Sequence, residues 1–78
     1  MKSSLRAGTD KVKGKVKWFK EKQGYGFIQP DADPNAEVFV HKSAIRGTPT
    51  LWANDIVEYL VEMGSHGASA IEVEVISR

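Results

Sequence analysis

The fold is decided by two short stretches of sequence, residues 24–28 (GYGFI) and residues 37–41 (EVFVH). In both, side chains of two kinds alternate, as the side chains of a β-strand alternate between the two faces of a sheet. One parity holds the aliphatic residues Ile28, Val38 and Val40, and the other holds the rings of Tyr25, Phe27, Phe39 and His41. If the aliphatic parity packs the core, the rings lie outside. A small domain rarely exposes several large rings together unless they bind something.

Outward from these stretches, the chain consists of short alternating runs separated by turn residues. Strands are predicted at about residues 12–19, 25–29, 37–40, 55–63 and 70–75. Residues 43–45 allow one helical turn at most, because Gly47 and Pro49 follow closely. A closed barrel hides the edges that a small open sheet would expose. The sequence therefore predicts an all-β domain over residues 12–77, a five-stranded antiparallel barrel, after a flexible tail at residues 1–11.

Composition excludes several classes of protein. The 78 residues suffice for one domain and include no cysteine, which rules out disulfides and thiolate metal sites. No apolar run approaches the ~20 residues that cross a bilayer, and the N-terminus offers no signal peptide, so we expect a cytoplasmic protein without a membrane partner. His41 and His66 are too few for a metal site. Without a nucleophilic triad or a phosphate-binding glycine loop, we expect no enzyme, no cofactor and no small-molecule substrate.

Charge is unevenly distributed, although the net charge is only +1. Residues 1–29 carry eight basic side chains against two acids, a net of +6, whereas residues 50–78 carry one base against five acids, a net of −4. Such polarity steers an anionic polymer to one side of a small domain. The alternative is a pair of solvated surfaces of opposite sign that attract each other.

Rings and cations occur together between residues 15 and 42. Unpaired bases offer a flat π-face, on which rings stack, and one phosphate per nucleotide, which Lys or Arg neutralises. If the second and third strands pair, their four rings form a compact patch wide enough for several bases. Simple alternation places Trp18 inward with Val16, so a bulge is needed to bring Trp18 out. The pattern predicts a single-stranded nucleic acid as partner, because a duplex hides its base faces.

Three segments in this order resemble the signature of the cold-shock domain: residues 15–19 (KVKWF), 24–28 (GYGFI) and 38–41 (VFVH). The resemblance spans roughly residues 12–77. It implies an oligonucleotide-binding (OB-fold) barrel that holds single-stranded RNA or DNA and acts as an RNA chaperone or a regulator of transcription or translation, often in cold adaptation. The resemblance and the pattern of rings and cations together indicate the binding residues Lys15, Lys17, Trp18, Phe19, Tyr25, Phe27, Phe39, His41 and Lys42.

Three departures from the usual family pattern affect the expected site. Gln23 replaces a lysine and removes one phosphate contact, and Lys42 replaces a phenylalanine and exchanges a stacking surface for a charge. An aromatic residue that many members carry near Thr48 is absent, and Trp52, a few residues later, either substitutes for it or caps the barrel. Weaker, more salt-sensitive binding is expected. Further candidate contacts are Lys20, Gln23, Arg46, Trp52 and His66.

Other interpretations stay open at this point. The rings form the core if the parity is inverted, which would expose Ile28, Val38 and Val40 beside Lys42. Alternatively, the same patch binds another protein, and the barrel is an OB module for protein interaction. A nuclease is disfavoured, because no cluster of carboxylates occurs. We expect a monomer.

Overall fold

The alternating runs form six strands in the computed structural model, which describes residues 11–65 and 67–77. The strands are β1 (Val12–Lys20), β2 (Tyr25–Pro30), β3 (Val38–His41), β4 (Ile45–Arg46), β5 (Ile56–Gly64) and β6 (Gly67–Ser77). A turn of 3-10 helix, Lys42–Ala44, follows β3, and no helix in the described ranges is long and apolar enough to cross a membrane. The expected tail at residues 1–11 lies outside the described residues, except for Lys11.

Five of the described strands close into a ring. β1 pairs with β2 and β5, β3 pairs with β2 and β6, and β5 pairs with β6. Four of these pairings are antiparallel, as expected, and the pairing of β3 with β6 that completes the ring is parallel. β4 adds two residues alongside β6, also in parallel. The five-stranded barrel is confirmed, and β4 was not predicted because two residues show no alternating pattern.

The core is filled by the aliphatic parity. Ile28 and Val40 are 0% exposed and Val38 is 4% exposed, so the inverted parity is wrong. Burying a Val, Leu or Ile side chain completely contributes about 1.5–3 kcal/mol, so alternate positions of β2 and β3 hold the barrel together and leave the others outside. The buried core residues are Val16, Ile28, Val38, Val40, Leu51, Val57, Tyr59, Ala70 and Val73.

Leu51, rather than Trp52, packs into the core from the segment between β4 and β5. Leu51 is 2% exposed, whereas its neighbour Trp52 is 58% exposed. The alternative in which Trp52 caps the barrel is therefore wrong, because the apolar side chain that this segment buries is the leucine.

Alternation fails in β6, where one extra residue forms a β-bulge. Two steps along β5 match three steps along β6 near Glu72. Glu72 has a left-handed φ of 51°, which residues other than glycine rarely adopt. The extra residue places both Ala70 and Val73 in the core, whereas strict alternation predicts Ile71 inward together with Val73.

Gly26 allows β2 to approach β1 closely. A Cβ atom on Gly26 would lie 2.3 Å from the carbonyl oxygen of Trp18 and 2.7 Å from the Cα of Phe19. Both are backbone atoms, so the strands would have to move apart to admit even a methyl group. The position therefore requires glycine, because only glycine lets the backbones of β1 and β2 lie this close together.

One hydroxyl group is buried in the core without a partner. Tyr59 is 0% exposed, and its hydroxyl has no hydrogen-bond partner among the described residues. Burial, with a further contribution from the charge of Asp31, raises the pKa of Tyr59 above its usual value of 10.0. An unsatisfied buried hydroxyl destabilises a folded protein by roughly 1–3 kcal/mol.

We expect Tyr59→Phe to raise the free energy of unfolding by about 1 kcal/mol. The matched control is Tyr25→Phe, which changes a half-buried tyrosine outside the core. This variant should leave the free energy of unfolding unchanged. Above pH about 10 the wild type should also lose stability, because the unfolded tyrosine releases its proton while the buried one keeps it. That loss should be smaller in Tyr59→Phe. Urea unfolding at neutral and at alkaline pH measures both effects. A Tyr59→Phe protein less stable than the wild type at neutral pH would contradict the first, and an equal alkaline loss of stability in the two proteins would contradict the second.

Candidate nucleic-acid interface

Two cross-strand rows line the outer surface of β1, β2 and β3. One row consists of Trp18, Phe27 and Phe39, and the other consists of Lys20, Tyr25 and His41. Residues opposite each other on neighbouring strands project from the same face. The four rings predicted on the outer surface are therefore brought together, and an indole joins them. We call this surface the ring face, and its members are Trp18, Tyr25, Phe27, Phe39 and His41.

Four of these rings contact one another in a continuous patch. Trp18 lies edge-on to Phe27, with ring centroids 5.2 Å apart, and edge-on to Tyr25 at 5.8 Å. The Phe39 centroid is 5.9 Å from those of both Phe27 and Tyr25, and its ring is stacked on that of Tyr25. All four are half-buried. Mutual packing holds each ring at a fixed angle and leaves part of its surface open, so the patch is preorganised for flat ligands.

A β-bulge at Lys17 turns Trp18 outward. Between Val16 and Trp18, two steps along β1 match one step along β2, which is the bulge that alternation requires if Trp18 is to be exposed. The same shift sends Phe19 the other way. Phe19 is partly buried and packs against the core, so the structure separates it from the ring face with which the sequence grouped it.

Three lysines near the ring face form no ion pair with another described residue. The Lys20 ammonium lies 5.4 Å from the centroid of the Trp18 ring, a distance that allows a cation–π contact. The Lys42 side chain passes over Gly24, with Cδ 3.0 Å from the position of a Cβ there. Lys15 is exposed on β1. In the described part of the chain, the ion pairs involve none of these three lysines.

Lys17 is placed differently, because its ammonium forms an ion pair with Glu37. Both side chains are about half exposed, so the pair borders the ring face at the start of β3. Glu37 was missed as a site residue, although its parity signals it: Glu37, Phe39 and His41 alternate along one face. The ion pair neutralises a positive charge beside the ring face.

His41 is oriented by the turn that follows it. The backbone N–H of Ser43 donates to Nδ1 of His41 at 3.1 Å, and the Ser43 hydroxyl lies 2.9 Å from the same nitrogen. Because Nδ1 accepts, Nε2 carries the ring's N–H. No group of three or more His, Cys, Asp or Glu side chains within the described ranges is arranged to hold a metal ion.

The other candidate contacts are scattered. Gln23 is exposed in the turn between β1 and β2. Arg46 lies on β4, which pairs with β6, and its guanidinium is 3.5 Å from a carboxylate oxygen of Glu72. Trp52 contacts none of the described rings of the ring face. His66 lies outside the described residues.

Closure of the barrel adds a neighbour that the sequence did not indicate. Ser69 on β6 is in register with Phe39 on β3 and with Glu62 on β5. The row that ends at Phe39 therefore continues with the hydroxyl of Ser69 and the carboxylate of Glu62. The ring face has an acidic side chain beyond this end. No local pattern signals this arrangement, since β3 and β6 are remote in sequence.

A closed β-barrel that presents packed rings beside free lysines defines a nucleic-acid-binding barrel of the OB type. The family model of the 'Cold-shock' DNA-binding domain matches residues 12–76. Cold shock-like protein CspC of Escherichia coli (strain K12) is 47% identical over 68 residues, which cover 85% of this chain and 97% of CspC. Cold shock-like protein CspE of Buchnera aphidicola subsp. Acyrthosiphon pisum is 48% identical over 65 residues, which cover 81% of this chain and 93% of CspE. The chain belongs to the cold-shock DNA-binding domain family and is a nucleic-acid-binding cold-shock protein.

The same fold occurs in a much longer protein. The solved structure of drosophila Unr CSD456 matches with a TM-score of 0.71 and 24% sequence identity, over 88% of this chain. This chain spans only 28% of the length of that structure. At this identity the likeness is one of fold alone, and it supports the OB-type barrel.

Proposed function

We propose that this chain binds single-stranded RNA and DNA by stacking unpaired bases on the ring face and holding phosphates at the lysines beside it. It has little sequence preference beyond readily unstacked pyrimidines, chiefly uridine or thymidine. The binding residues are those already placed in the ring face, with Lys15, Lys17, Lys20 and Lys42. The protein acts as a cytoplasmic monomer without a cofactor or catalytic activity.

The observation that carries the proposal is the continuous ring contact from Trp18 through Phe27 to Phe39, at 5.2 and 5.9 Å between centroids. Stacking contributes roughly 1–3 kcal/mol per base, so three or four platforms contribute on the order of 4–10 kcal/mol before the strand's ordering is subtracted. Lysine–phosphate contacts add a term that weakens with salt. Single strands are preferred, because the faces of paired bases are covered.

This preference gives the protein its role in the cell. By binding the open form of a hairpin, it shifts the equilibrium toward unpaired RNA by mass action and without ATP. That is the activity of an RNA chaperone. It changes which genes are transcribed and which transcripts are translated. Hairpins grow more stable in the cold, so the same activity suits cold adaptation.

Fluorescence titration with an oligothymidine of about seven bases, within the site sizes of OB folds, tests the proposal. We expect quenching of Trp18 and an affinity that falls as salt is raised. The same oligomer annealed to its complement should bind much more weakly. Absence of quenching, or binding that molar salt leaves unchanged, would count against the proposal.

The alternative, an OB module that docks a protein on the same rings, makes a different prediction. It requires weak binding to bare oligonucleotides and a stoichiometric protein complex that survives nuclease treatment in a pull-down. A nuclease would cleave labelled RNA in the presence of magnesium. Both measurements use the intact chain, so their results compare directly with the titration.

Lys42→Phe should tighten binding and make it less sensitive to salt. The substitution adds a stacking surface worth roughly 1–3 kcal/mol and removes a cation, which lowers the slope of log K against log salt by about 0.7. Lys42→Met is the matched control, because it removes the charge without adding a ring. Titrations across a range of salt separate the two effects, and an unchanged slope in both variants would show that Lys42 meets no phosphate.

Glu37→Gln should also tighten binding, because it frees the Lys17 ammonium for a phosphate. Exposed ion pairs contribute about 0.2–1 kcal/mol, which corresponds to an affinity gain of about 1.4- to 5-fold. Glu58→Gln makes the same change in net charge on β5, opposite Lys13, and controls for the long-range effect of charge. Equal gains in the two variants would mean that the pair with Lys17 has no specific role.

A further inference from the structure

Trp52 is exposed to a degree that the rest of the fold does not explain. Its side chain is 58% exposed, whereas Trp18 and the tyrosine and phenylalanine rings of the ring face are half-buried. Leu51 already supplies the buried side chain of this segment. The indole therefore contributes little to the core, and it presents a large flat surface to solvent.

The turn that carries Trp52 is firmly held. The backbone N–H of Trp52 donates to the Asp55 carboxylate at 2.9 Å, and the N–H of Asp55 donates to the carbonyl oxygen of Trp52 at 3.0 Å. Asp55 is 3% exposed, and Asn54 takes a left-handed φ of 76°. These features fix the backbone on the C-terminal side of Trp52, so the indole starts from a defined position.

This turn lies against the edge of β1 at the point where the bulge begins. The N–H of Val16 donates to the carbonyl oxygen of Asp55 at 2.9 Å, and the N–H of Asn54 donates to the carbonyl oxygen of Val16 at 2.8 Å. β1 pairs with β5 only over Val12–Lys15, so the turn takes over that edge at Val16. β2 occupies the opposite edge.

Trp52 and Trp18 therefore flank the same bulged segment. From the width of a tight turn and the spacing of paired backbones, the Cα of Trp52 lies within roughly 12 Å of the Cα of Val16. Trp18 lies two residues after Val16 in sequence, and Val16 is flanked by Lys15 and Lys17. A strand that leaves the ring face at Trp18 and passes this edge of β1 would meet a second indole, with the exposed Lys15 on the neighbouring stretch of β1.

We propose that Trp52 is a further base-stacking platform, on which an unpaired base stacks when the bound strand continues from Trp18 around the edge of β1. The partner is the same single-stranded nucleic acid, so the inference rests on the proposed function. Its chemistry is also the same: an indole stacks on any base because every base has a π-face, and a phosphate between the two tryptophans meets Lys15. The bound strand then wraps part of the barrel and occupies more than the ring face.

The chain contains two tryptophans, which allows each position to be observed alone. Trp18→Phe leaves Trp52 as the reporter, and Trp52→Phe leaves Trp18. Each variant is titrated with a short oligothymidine that covers the ring face and with one of twice that length, and quenching by iodide and acrylamide is measured at each point. We expect Trp52 emission to change, and the indole to become protected, with the long oligomer but not with the short one.

Affinity provides the second measurement. Trp52→Ala should lose about 5- to 150-fold in affinity for the long oligomer and bind the short one as the wild type does. Since Trp52 is largely exposed, thermal unfolding of Trp52→Ala should match that of the wild type. If the variant is destabilised, the Trp18→Phe titration still decides the question, because it leaves Trp52 intact.

The failures are distinguishable. If Trp18 responds to both oligomers while Trp52 responds to neither, the further platform is wrong and the ring face stands. If neither tryptophan responds, the proposed function fails as well. An equal loss of affinity for both oligomers in Trp52→Ala would show that Trp52 supports the ring face and is not a separate platform. Protection of Trp52 by a protein, with no response to oligothymidine, would likewise overturn the inference.

Discussion

Phe27→Ala should weaken binding to oligothymidine by about 5- to 150-fold, the equivalent of roughly 1–3 kcal/mol for one stacked base. Phe27 is the centre of its row, in register with Trp18 on one side and Phe39 on the other. It is not part of the buried core, so the barrel should persist with a loss of about 1 kcal/mol from the edge contacts between rings. Calorimetric titration of the folded variant measures the affinity, and thermal unfolding measures the stability.

Phe19→Ala is the matched control, because it removes the same atoms from the other face of β1. Phe19 packs against the core, so this variant should lose about 2 kcal/mol of stability, less than the 3–5 kcal/mol of a fully buried phenylalanine. Its affinity, measured where it is folded, should stay close to that of the wild type. Equal losses of affinity in the two variants would place Phe19 in the interface after all.

Gly26→Ala should destabilise the barrel by about 3 kcal/mol, at the upper end of the range for overpacked positions. The added methyl would meet a carbonyl oxygen at 2.3 Å and a Cα at 2.7 Å, and neither atom can move without separating β1 from β2. For a domain of this size the midpoint of thermal unfolding should fall by about 12–24 °C. Differential scanning calorimetry measures the shift.

Gly64→Ala controls for the general effect of replacing a glycine in a strand. A Cβ on Gly64 meets nothing closer than the carbonyl oxygen of Gly67, at 3.9 Å. This substitution should change stability by no more than about 1 kcal/mol, in the stabilising direction, because alanine restricts the unfolded chain. A Gly26→Ala protein as stable as Gly64→Ala would mean that the two strands separate at little cost.

The features that the sequence predicted are those that depend on local alternation. Each residue of β2 and β3 occupies one of two faces, so the pattern of Ile28, Val38 and Val40 against Phe27 and its neighbours placed the core inside and the rings outside, as the structure confirms. The strand positions followed from the same alternation and from the turn residues between runs.

The features that escaped prediction depend on partners remote in sequence. The bulge at Glu72 inserts a residue against β5, and nothing in a glutamate demands a left-handed backbone. The pair of Lys17 with Glu37 joins residues on different strands. The bulge at Lys17 was foreseen only as a condition for exposing Trp18, because the residues of β1 alternate without a visible interruption. Phe19 was grouped with the rings for the same reason.

Residues that face the solvent alternate with core residues along β2 and β3, and this alternation has a consequence for evolution. Point substitutions at the solvent-facing positions can retune what the protein holds while the barrel stays intact, so relatives can diverge in preference without diverging in architecture. An insertion or deletion of one codon within either strand has the opposite effect, since it exchanges the two sets of side chains at a stroke. Changes of length in this lineage should therefore accumulate in the connections, such as residues 31–37, and be purged from the strands themselves.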